Sequence, residues 1–403
     1  MESQAQPSQP RPSKGTAFLS TCFNGFNALS GLGLISIPYA LAQGGWLTLI
    51  IMFMVAILGY YTALLLHRCM EINPQIKTYA DIGQIAFGAK ERATVCSIIS
   101  LSLFLIAVEI LILEGDNMDK LFPNTNLYIA GYKLGGKPFF ILVTALAVLP
   151  ATWLRSLTLL AYVSASGVFA SMVLVGSVFS VGASDGVGFD EKGELWKWRG
   201  LPMAVSMYFF CFCGHSVFPT IRNSMKDMSQ FPKVLLVCFV LSTISYGTMA
   251  VLGYLMFGED LKSQVSLNLP TLRLISKIAI YTTLVNPIAK YPLTVTPLAT
   301  SIEDLFGIYN RRSISLLVRT SLVISTVALA IALPFFGYVM AFIGSFLSVS
   351  SAILFPCLCY LKIYKVYRSL GLEMLLVGSI LMVGVLVAVI GTYTSVRNII
   401  IHL

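Results

Sequence analysis

The stretch Asn27-Ala28-Leu29-Ser30-Gly31-Leu32-Gly33-Leu34-Ile35-Ser36-Ile37-Pro38 lies inside the first long apolar run of the chain, about residues 15–43. A helix in lipid must satisfy every backbone polar group internally, but the two glycines and the proline here favour an interruption. Asn24, Asn27 and Gly31 follow at helical spacing and share one face. The pattern fits a helix broken to hold a ligand, and it fits equally a small-residue packing seam with a proline kink.

The composition of the whole chain indicates a membrane protein. Of its 403 residues, 57% are hydrophobic and only 11% are charged, and the mean hydropathy is +0.82. One membrane span needs about 20 apolar residues. We therefore expect an all-α polytopic membrane protein. The net charge of +9 sits in short loops, where it sets topology, so it does not indicate a nucleic-acid partner.

Apolar runs predict about eleven transmembrane helices. They cover about residues 15–43, 46–69, 93–113, 138–153, 157–182, 200–222, 231–257, 272–302, 313–333, 335–361 and 372–396. Residues 1–14 read as a short disordered cytosolic tail. Residues 79–87 are apolar enough to lie on the membrane surface as a short helix.

A second interruption is predicted in the sixth run, where Gly214 is followed by Pro219. Pro38 and Pro219 each remove a backbone donor and are expected to break their helices. Paired interruptions in two halves are typical of inverted repeats with a binding site between them. We therefore expect one repeat over residues 15–182, a non-cytosolic loop over 183–199, a second repeat over 200–361, and an extra helix with the carboxy terminus over 362–403.

The distribution of lysine and arginine orients this arrangement. More of them fall in the segments that share a side with the amino terminus than in those on the opposite side. Positive residues are retained on the cytosolic side. The amino terminus is thus predicted in the cytosol and the carboxy terminus in the lumen or outside.

Five stretches together resemble the amino acid/auxin permease superfamily. They are Asn27…Gly31-x-Gly33…Pro38-Tyr39-Ala40, Lys77-Thr78-Tyr79-Ala80-Asp81-Ile82-Gly83, Glu114-Gly115-Asp116-Asn117, Cys213-Gly214-His215-Ser216-Val217-Phe218-Pro219 and Lys290-Tyr291-Pro292-Leu293-Thr294-Val295-Thr296-Pro297. The combination is similar to the plant vacuolar amino-acid transporters, which are kin to the vesicular inhibitory amino-acid transporters. The resemblance implies a fold of the bacterial-leucine-transporter type, amino-acid substrates and proton coupling. The short amino-terminal tail departs from many members of the family.

A substrate site is expected where the two interruptions meet. Unpaired N–H groups at the start of a half-helix suit a carboxylate, and free carbonyls near residues 23–27 and 211–214 suit an ammonium. The alternative for these positions is helix packing alone. The predicted substrate-binding residues are Asn27, Ser30, Gly31, Gly33, Phe210, Cys213 and Gly214.

Three titratable residues are candidates for proton coupling or gating. Lys290 lies in an apolar run, where a charge is costly and usually functional; a lysine there could replace the cation that related sodium-driven folds hold between the first and eighth spans, or it could snorkel to the interface. Glu109 could relay protons, pair with a basic residue, or cap the span at the interface. His215 could sense lumenal acidity or serve in packing.

The function expected is proton-coupled secondary transport of amino acids, presumed neutral, by alternating access at the vacuolar or another endomembrane. The alternatives are a plasma-membrane proton symporter of amino acids or auxin and, in another class, a non-transporting amino-acid receptor. No enzyme is expected, because the spans lack paired catalytic groups. The expected partners are an amino acid, protons and the lipid bilayer, without a cofactor, a metal or nucleic acid. The oligomeric state is left open, and a monomer is compatible with the sequence.

Overall fold

The computed structural model describes residues 16–73, 76–125, 127–129, 132–153, 160–184, 187–307, 311–368 and 371–403. The predicted disordered tail, residues 1–14, lies outside them. Helices form almost all of the regular structure. Strands β1 (Leu127–Ile129) and β2 (Tyr132–Leu134) make a small antiparallel hairpin in which Leu127 is opposite Leu134.

The helices follow one another through short connections. Those of the first half are α1 (Phe18–Leu29), α2 (Leu32–Gly44), α3 (Thr48–Glu71), α4 (Tyr79–Phe87), α5 (Ala89–Leu121), α6 (Gly136–Thr152) and α7 (Leu160–Gly182). Those of the second half are α8 (Leu201–Cys211), α9 (Phe218–Asn223), α10 (Phe231–Phe257), α11 (Leu274–Leu305), α12 (Arg312–Ala332), α13 (Phe336–Phe342), α14 (Phe355–Tyr364) and α15 (Leu372–His402). The stretches Ile343–Ser348 and Ser350–Leu354 between α13 and α14 are π-helical.

The fold is an all-α polytopic bundle, as the composition predicts. Among the described residues, six helices are long and apolar enough to cross a membrane, and the bent pair α1–α2 makes a seventh. The stretches Gly136–Thr152, Ser166–Gly182 and Leu201–Cys211 are apolar but shorter. The count of eleven spans and the division into two inverted repeats therefore stay predictions.

The first apolar run is interrupted between α1 and α2, whose axes differ in direction by 48°. Ser30 is extended there, and α2 starts after Gly31. The expected break at Pro38 is wrong, because α2 continues through this residue to Gly44. Pro38 instead packs closely on α10: a Cβ added to Gly253 would lie 2.5 Å from the Pro38 Cβ. The Pro38 ring therefore stabilises the fold by close packing against α10, although its missing N–H costs α2 one hydrogen bond.

The sixth run is interrupted over residues 212–217, between α8 and α9. Pro219 does not break the helix but lies in the first turn of α9, where a missing N–H costs nothing because that group has no helical partner. The His215 carbonyl, expected to be unpaired, accepts a hydrogen bond from the Phe218 N–H at 3.3 Å. The unwound segment therefore precedes the proline.

Helix α5 is longer than its sequence predicts. The run was expected to end near Leu113 with a loop opening at Glu114, but the helix continues to Leu121. Its last turns find partners inside the protein. Asp116 pairs with Lys137 at the start of α6, at 2.5 Å, and the Lys120 Nζ donates to carbonyls in the α10–α11 loop, residues 258–273.

A buried ion pair joins α11 to α12. The Arg319 Nε lies 3.1 Å from the Glu303 Oε1, and both side chains are almost fully buried. The Ser315 hydroxyl donates to the same carboxylate at 2.6 Å, and the Arg319 Nη1 donates to the Thr152 carbonyl of α6 at 2.8 Å. Three helices thus meet at one charged contact.

Replacing Arg319 by methionine should destabilise the protein strongly, because Glu303 would keep a buried charge without its partner. Loss of one member of a buried pair costs about 3–5 kcal/mol. Melting temperatures of the purified protein in detergent measure the effect. Arg68→Met is the matched control: its pair with Glu373 is about half exposed, so it should cost about 1 kcal/mol or less. Equal shifts in the two variants would contradict the prediction.

Candidate functional site

A cavity of about 190 Å³ lies beside the interruption between α1 and α2. The break itself, α5, α7, α8 with its following loop, α11 and the π-helical stretches all contribute to its walls. The predicted site residues that line it are Ser30, Gly31, Gly33, Phe210, Cys213 and Lys290. Residues far apart in the sequence are therefore brought to one place, and the two interrupted runs both reach it.

Lys290 of α11 is directed at the break in the first run. Its Nζ donates to the Ser30 carbonyl at 2.9 Å and to the Asn27 carbonyl at 3.2 Å. A Cβ added to Gly31 would lie 3.4 Å from the same Nζ. The ammonium thus supplies hydrogen bonds that the interrupted helix cannot supply.

Tyr246 of α10 contacts both interruptions, and no motif in the sequence analysis indicates this residue. Its hydroxyl lies 2.5 Å from the Leu29 carbonyl and 3.1 Å from the Cys211 carbonyl. These carbonyls belong to the last residues of α1 and α8. The hydroxyl of one fully buried tyrosine therefore lies within hydrogen-bond distance of the last carbonyls of both half-helices.

The start of α2 presents backbone N–H groups beside the cavity that could bind a negative group. The first N–H groups of a helix have no partner within it, and they carry the positive end of the helix dipole. Leu32 and Gly33 occupy the first positions of α2 and line the cavity. Ser30 adds a hydroxyl, 3.2 Å from that of Ser171. The cavity thus offers backbone donors beside backbone carbonyls.

Charge is sparse in this cavity. Among the described residues that line it, Lys290 has the one charged side chain and none is acidic. The remaining polar side chains are hydroxyls, a thiol and the Asn286 amide. The cavity can therefore hold a dipolar or negatively charged small molecule, but it has no side chain to balance a second positive charge.

Asn27 is not among the described residues that line the cavity, although its carbonyl accepts a hydrogen bond from Lys290. Its Oδ1 is buried without a hydrogen-bond partner, as is the Asn286 Oδ1. Both oxygens face Gly167 of α7, where an added Cβ would clash with the first and lie 3.4 Å from the second. The two amides therefore meet beside Gly167, at the part of the cavity wall to which Asn286 belongs.

Gly214 and His215 do not line the cavity. A Cβ on Gly214 would lie 3.0 Å from Leu29 and from the Phe218 ring, so this glycine permits close packing. The His215 Nε2 lies 3.0 Å from both the Thr62 hydroxyl and the Gly59 carbonyl of α3. The ring is fully buried, which agrees with the packing interpretation of this residue.

Glu109 also lies away from the cavity. It is fully buried, and neither carboxylate oxygen has a hydrogen-bond partner in the part of the chain that is described. The coupling or gating role and the interfacial cap both stay predictions for this residue. Two other acidic residues within helices, Glu114 of α5 and Glu303 of α11, are buried to the same extent.

The π-helical stretches place Ser348 and Ser351 in the cavity wall. The Ser351 hydroxyl lies 3.4 Å from the Cys213 thiol, and its carbonyl accepts a hydrogen bond from the Tyr79 hydroxyl of α4. Short π-helical segments often occur at functional sites. The serine-rich stretch from Ser345 to Ser351 is the signal that could have indicated this wall, although nothing in it predicts the wider turn.

Comparison with known proteins identifies related sequences over nearly the whole chain. Residues 14–397 match the family described as transmembrane amino acid transporter protein. Amino acid transporter AVT1J of Arabidopsis thaliana is 50% identical over 96% of this chain and 92% of its own. Amino acid transporter AVT1I of the same plant is 47% identical over 99% of both chains.

A solved structure shares the fold. It is the substrate-bound outward-open state of a Na+-coupled sialic acid symporter, with a TM-score of 0.52 and 14% sequence identity over 95% of this chain and 90% of that one. The fold is therefore of the bacterial-leucine-transporter type, as the sequence resemblance implies.

Gly33 is predicted to tolerate no side chain, because α2 and α8 are in contact at this position. An added Cβ would lie 2.7 Å from the Cys211 Sγ and 3.3 Å from its Cα. Overpacking of this kind costs about 1–3 kcal/mol, so Gly33→Ala should lower the melting temperature. Gly176→Ala, which meets nothing within 4 Å, is the control and should leave it unchanged or raise it. An unchanged melting temperature for Gly33→Ala would contradict the prediction, because it would show that α2 and α8 can move apart to accept the added methyl group.

Proposed function

Because the chain belongs to the family of transmembrane amino acid transporter proteins, we propose that it couples the movement of a neutral amino acid to protons. It is a membrane transporter and not an enzyme. The proposed driving force is a proton gradient. The observation that carries the coupling is the position of Lys290, whose ammonium occupies the break in the first span.

A lysine at this position differs from a bound metal cation in one respect. It can lose its positive charge without leaving the site, because a desolvated lysine gives up its proton more readily than one in water. A charge-assisted hydrogen bond is roughly twice as strong as a neutral one. Loss of the Lys290 proton would therefore weaken its hold on the Asn27 and Ser30 carbonyls and permit α1 and α2 to move relative to each other.

The cavity fits the common part of a zwitterionic amino acid. The carboxylate would bind the free N–H groups at the start of α2, near Gly31 and Gly33, and the ammonium would bind carbonyls of the two interrupted runs. Phe210, Cys213 and the π-helical serines face the remaining space. A neutral side chain is proposed because no acidic residue lines the cavity to receive a basic one.

The proposed transport cycle is alternating access around the breaks in the first and sixth runs. Eleven spans in two inverted repeats, with the amino terminus in the cytosol, would place α1, α4 and α9 at the cytosolic end. The resemblance to plant vacuolar transporters supports the vacuolar membrane as the location. Two hinge points beside one cavity are the arrangement that such a cycle requires.

Flux measurements in proteoliposomes test the proposal directly. Radiolabelled glutamine or leucine uptake should rise about tenfold or more under a pH gradient of one sign and not under the other. The sign that drives uptake then distinguishes antiport from symport. Absence of flux under every gradient would overturn the proposed function.

Lys290→Met should make the remaining flux insensitive to the pH gradient, because the group that exchanges its proton is gone. The measurement is the ratio of uptake with and without the gradient. Lys277→Met is the matched control, since it removes an exposed lysine from the same helix and should keep the wild-type ratio. An unchanged ratio in Lys290→Met would show that Lys290 does not take part in the coupling.

A further inference from the structure

Glu114 continues the face of α5 that forms one wall of the cavity. Ile99, Ile106 and Ile110 line the cavity at helical spacing. Glu114 follows Ile110 by four residues, so it lies on the same face one turn further on. Asn117 comes three residues later and continues this stripe. A carboxyl group therefore lies at the end of the cavity wall, in a stretch for which the sequence predicted a loop.

The Glu114 carboxyl is buried without a partner. The residue has no exposed surface, and neither oxygen has a hydrogen-bond partner among the described residues. An ionised carboxylate is very costly in such a place, whereas a protonated one is far less so. A carboxyl in this position is therefore a candidate to bind a proton.

No charged group in the described part of the chain pairs with Glu114. The titratable side chains on α5 near Glu114, on α4, α6, α11, α12 and α13 and in the α10–α11 loop are Tyr79, Asp81, Glu109, Asp116, Asp119, Lys120, Lys137, Glu259, Asp260, Lys262, Arg273, Lys277, Tyr281, Lys290, Tyr291, Glu303, Arg312, Arg319 and Tyr338. Asp116 pairs with Lys137, and Lys120 donates to the Ser266 and Leu269 carbonyls. None of them forms an ion pair or hydrogen bond with Glu114 in the described structure. Nothing supplied by the fold compensates a negative charge on it.

The α10–α11 loop closes over this end of α5. The Gln264 side chain is fully buried: its Oε1 accepts from the Asn117 Nδ2 at 2.6 Å, and its Nε2 donates to the Asp116 Oδ2 at 2.9 Å. Glu114 thus lies between Ile110 in the cavity wall and Asn117 under the loop. Movement of the loop would separate Gln264 from Asn117 and Asp116 and so bring water nearer to Glu114.

We propose that Glu114 is a second proton-binding residue, which is protonated while the α10–α11 loop is seated and gives its proton to water when the loop opens. The proposal rests on the transport function proposed above and assigns to it a gate on the side that this loop covers. Only the open state tolerates the ionised carboxylate. Over the pH range in which Glu114 would be ionised in the open state and protonated in the closed state, each unit of pH increase should raise the ratio of open to closed protein by up to about tenfold. A low pH on the side that the α10–α11 loop covers should keep this loop closed.

Hydrogen–deuterium exchange of the loop backbone tests this without any transported substrate. In the purified full-length protein, protection of residues 258–273, corrected for intrinsic exchange rates, should fall about tenfold per pH unit over part of the range between pH 5 and pH 8. Glu114→Gln, which resembles the protonated form, should keep the loop protected at every pH. Asp119→Asn, which removes a half-buried carboxyl from the same helix, should keep the wild-type pH dependence.

A pH dependence that persists in Glu114→Gln would overturn the proposal, and so would a wild-type loop whose protection does not change with pH. If Glu114→Gln does not fold, Glu114→Asp provides the test: it keeps a titratable group and should keep the pH dependence with a shifted midpoint, whereas an unshifted midpoint would overturn the proposal. Failure of amino-acid flux while the loop still responds to pH through Glu114 would refute the transport function and leave the gate intact.

Discussion

Backbone carbonyls inside a membrane need hydrogen-bond donors, and the break between α1 and α2 leaves several without helical partners. The Ser30 N–H closes the last turn on the Phe26 carbonyl. The Asn27 and Ser30 carbonyls are served by the Lys290 ammonium and the Leu29 carbonyl by the Tyr246 hydroxyl. Because Tyr246 also reaches the Cys211 carbonyl, both interruptions depend on side chains of α10 and α11. The cavity lies where these donors bind the carbonyls that the two interruptions leave without helical partners.

Features that depend on the nearby sequence could be predicted. Apolar length alone determines the all-α polytopic class, and the glycines at positions 31 and 33 place the first interruption correctly within one turn. Lys290 was selected because a charge in an apolar run is expensive, and the structure shows the contact that compensates it. Each of these inferences requires only the physics of one segment in lipid.

The remaining features depend on partners that are distant in the sequence. Pro38 could not be recognised as a packing residue without knowing that Gly253 lies against it. Helix α5 continues past Leu113 because Asp116, Asn117 and Lys120 meet Lys137 and the α10–α11 loop, which no local pattern shows. The π-helical turns that carry Ser348 and Ser351 are likewise supported from outside, by Tyr79 and Cys213.

The contacts of Lys290 constrain any mechanism that uses this cavity. A ligand ammonium that requires the Asn27 or Ser30 carbonyl must compete with the lysine for it, and the proposed loss of the lysine's proton removes part of that competition. By linkage, the ligand must then favour deprotonation of Lys290 by the same factor by which deprotonation favours the ligand. Coupling of this kind would need no relay of distant residues, because the proposed substrate and proton would meet at the same backbone groups of the interrupted helix.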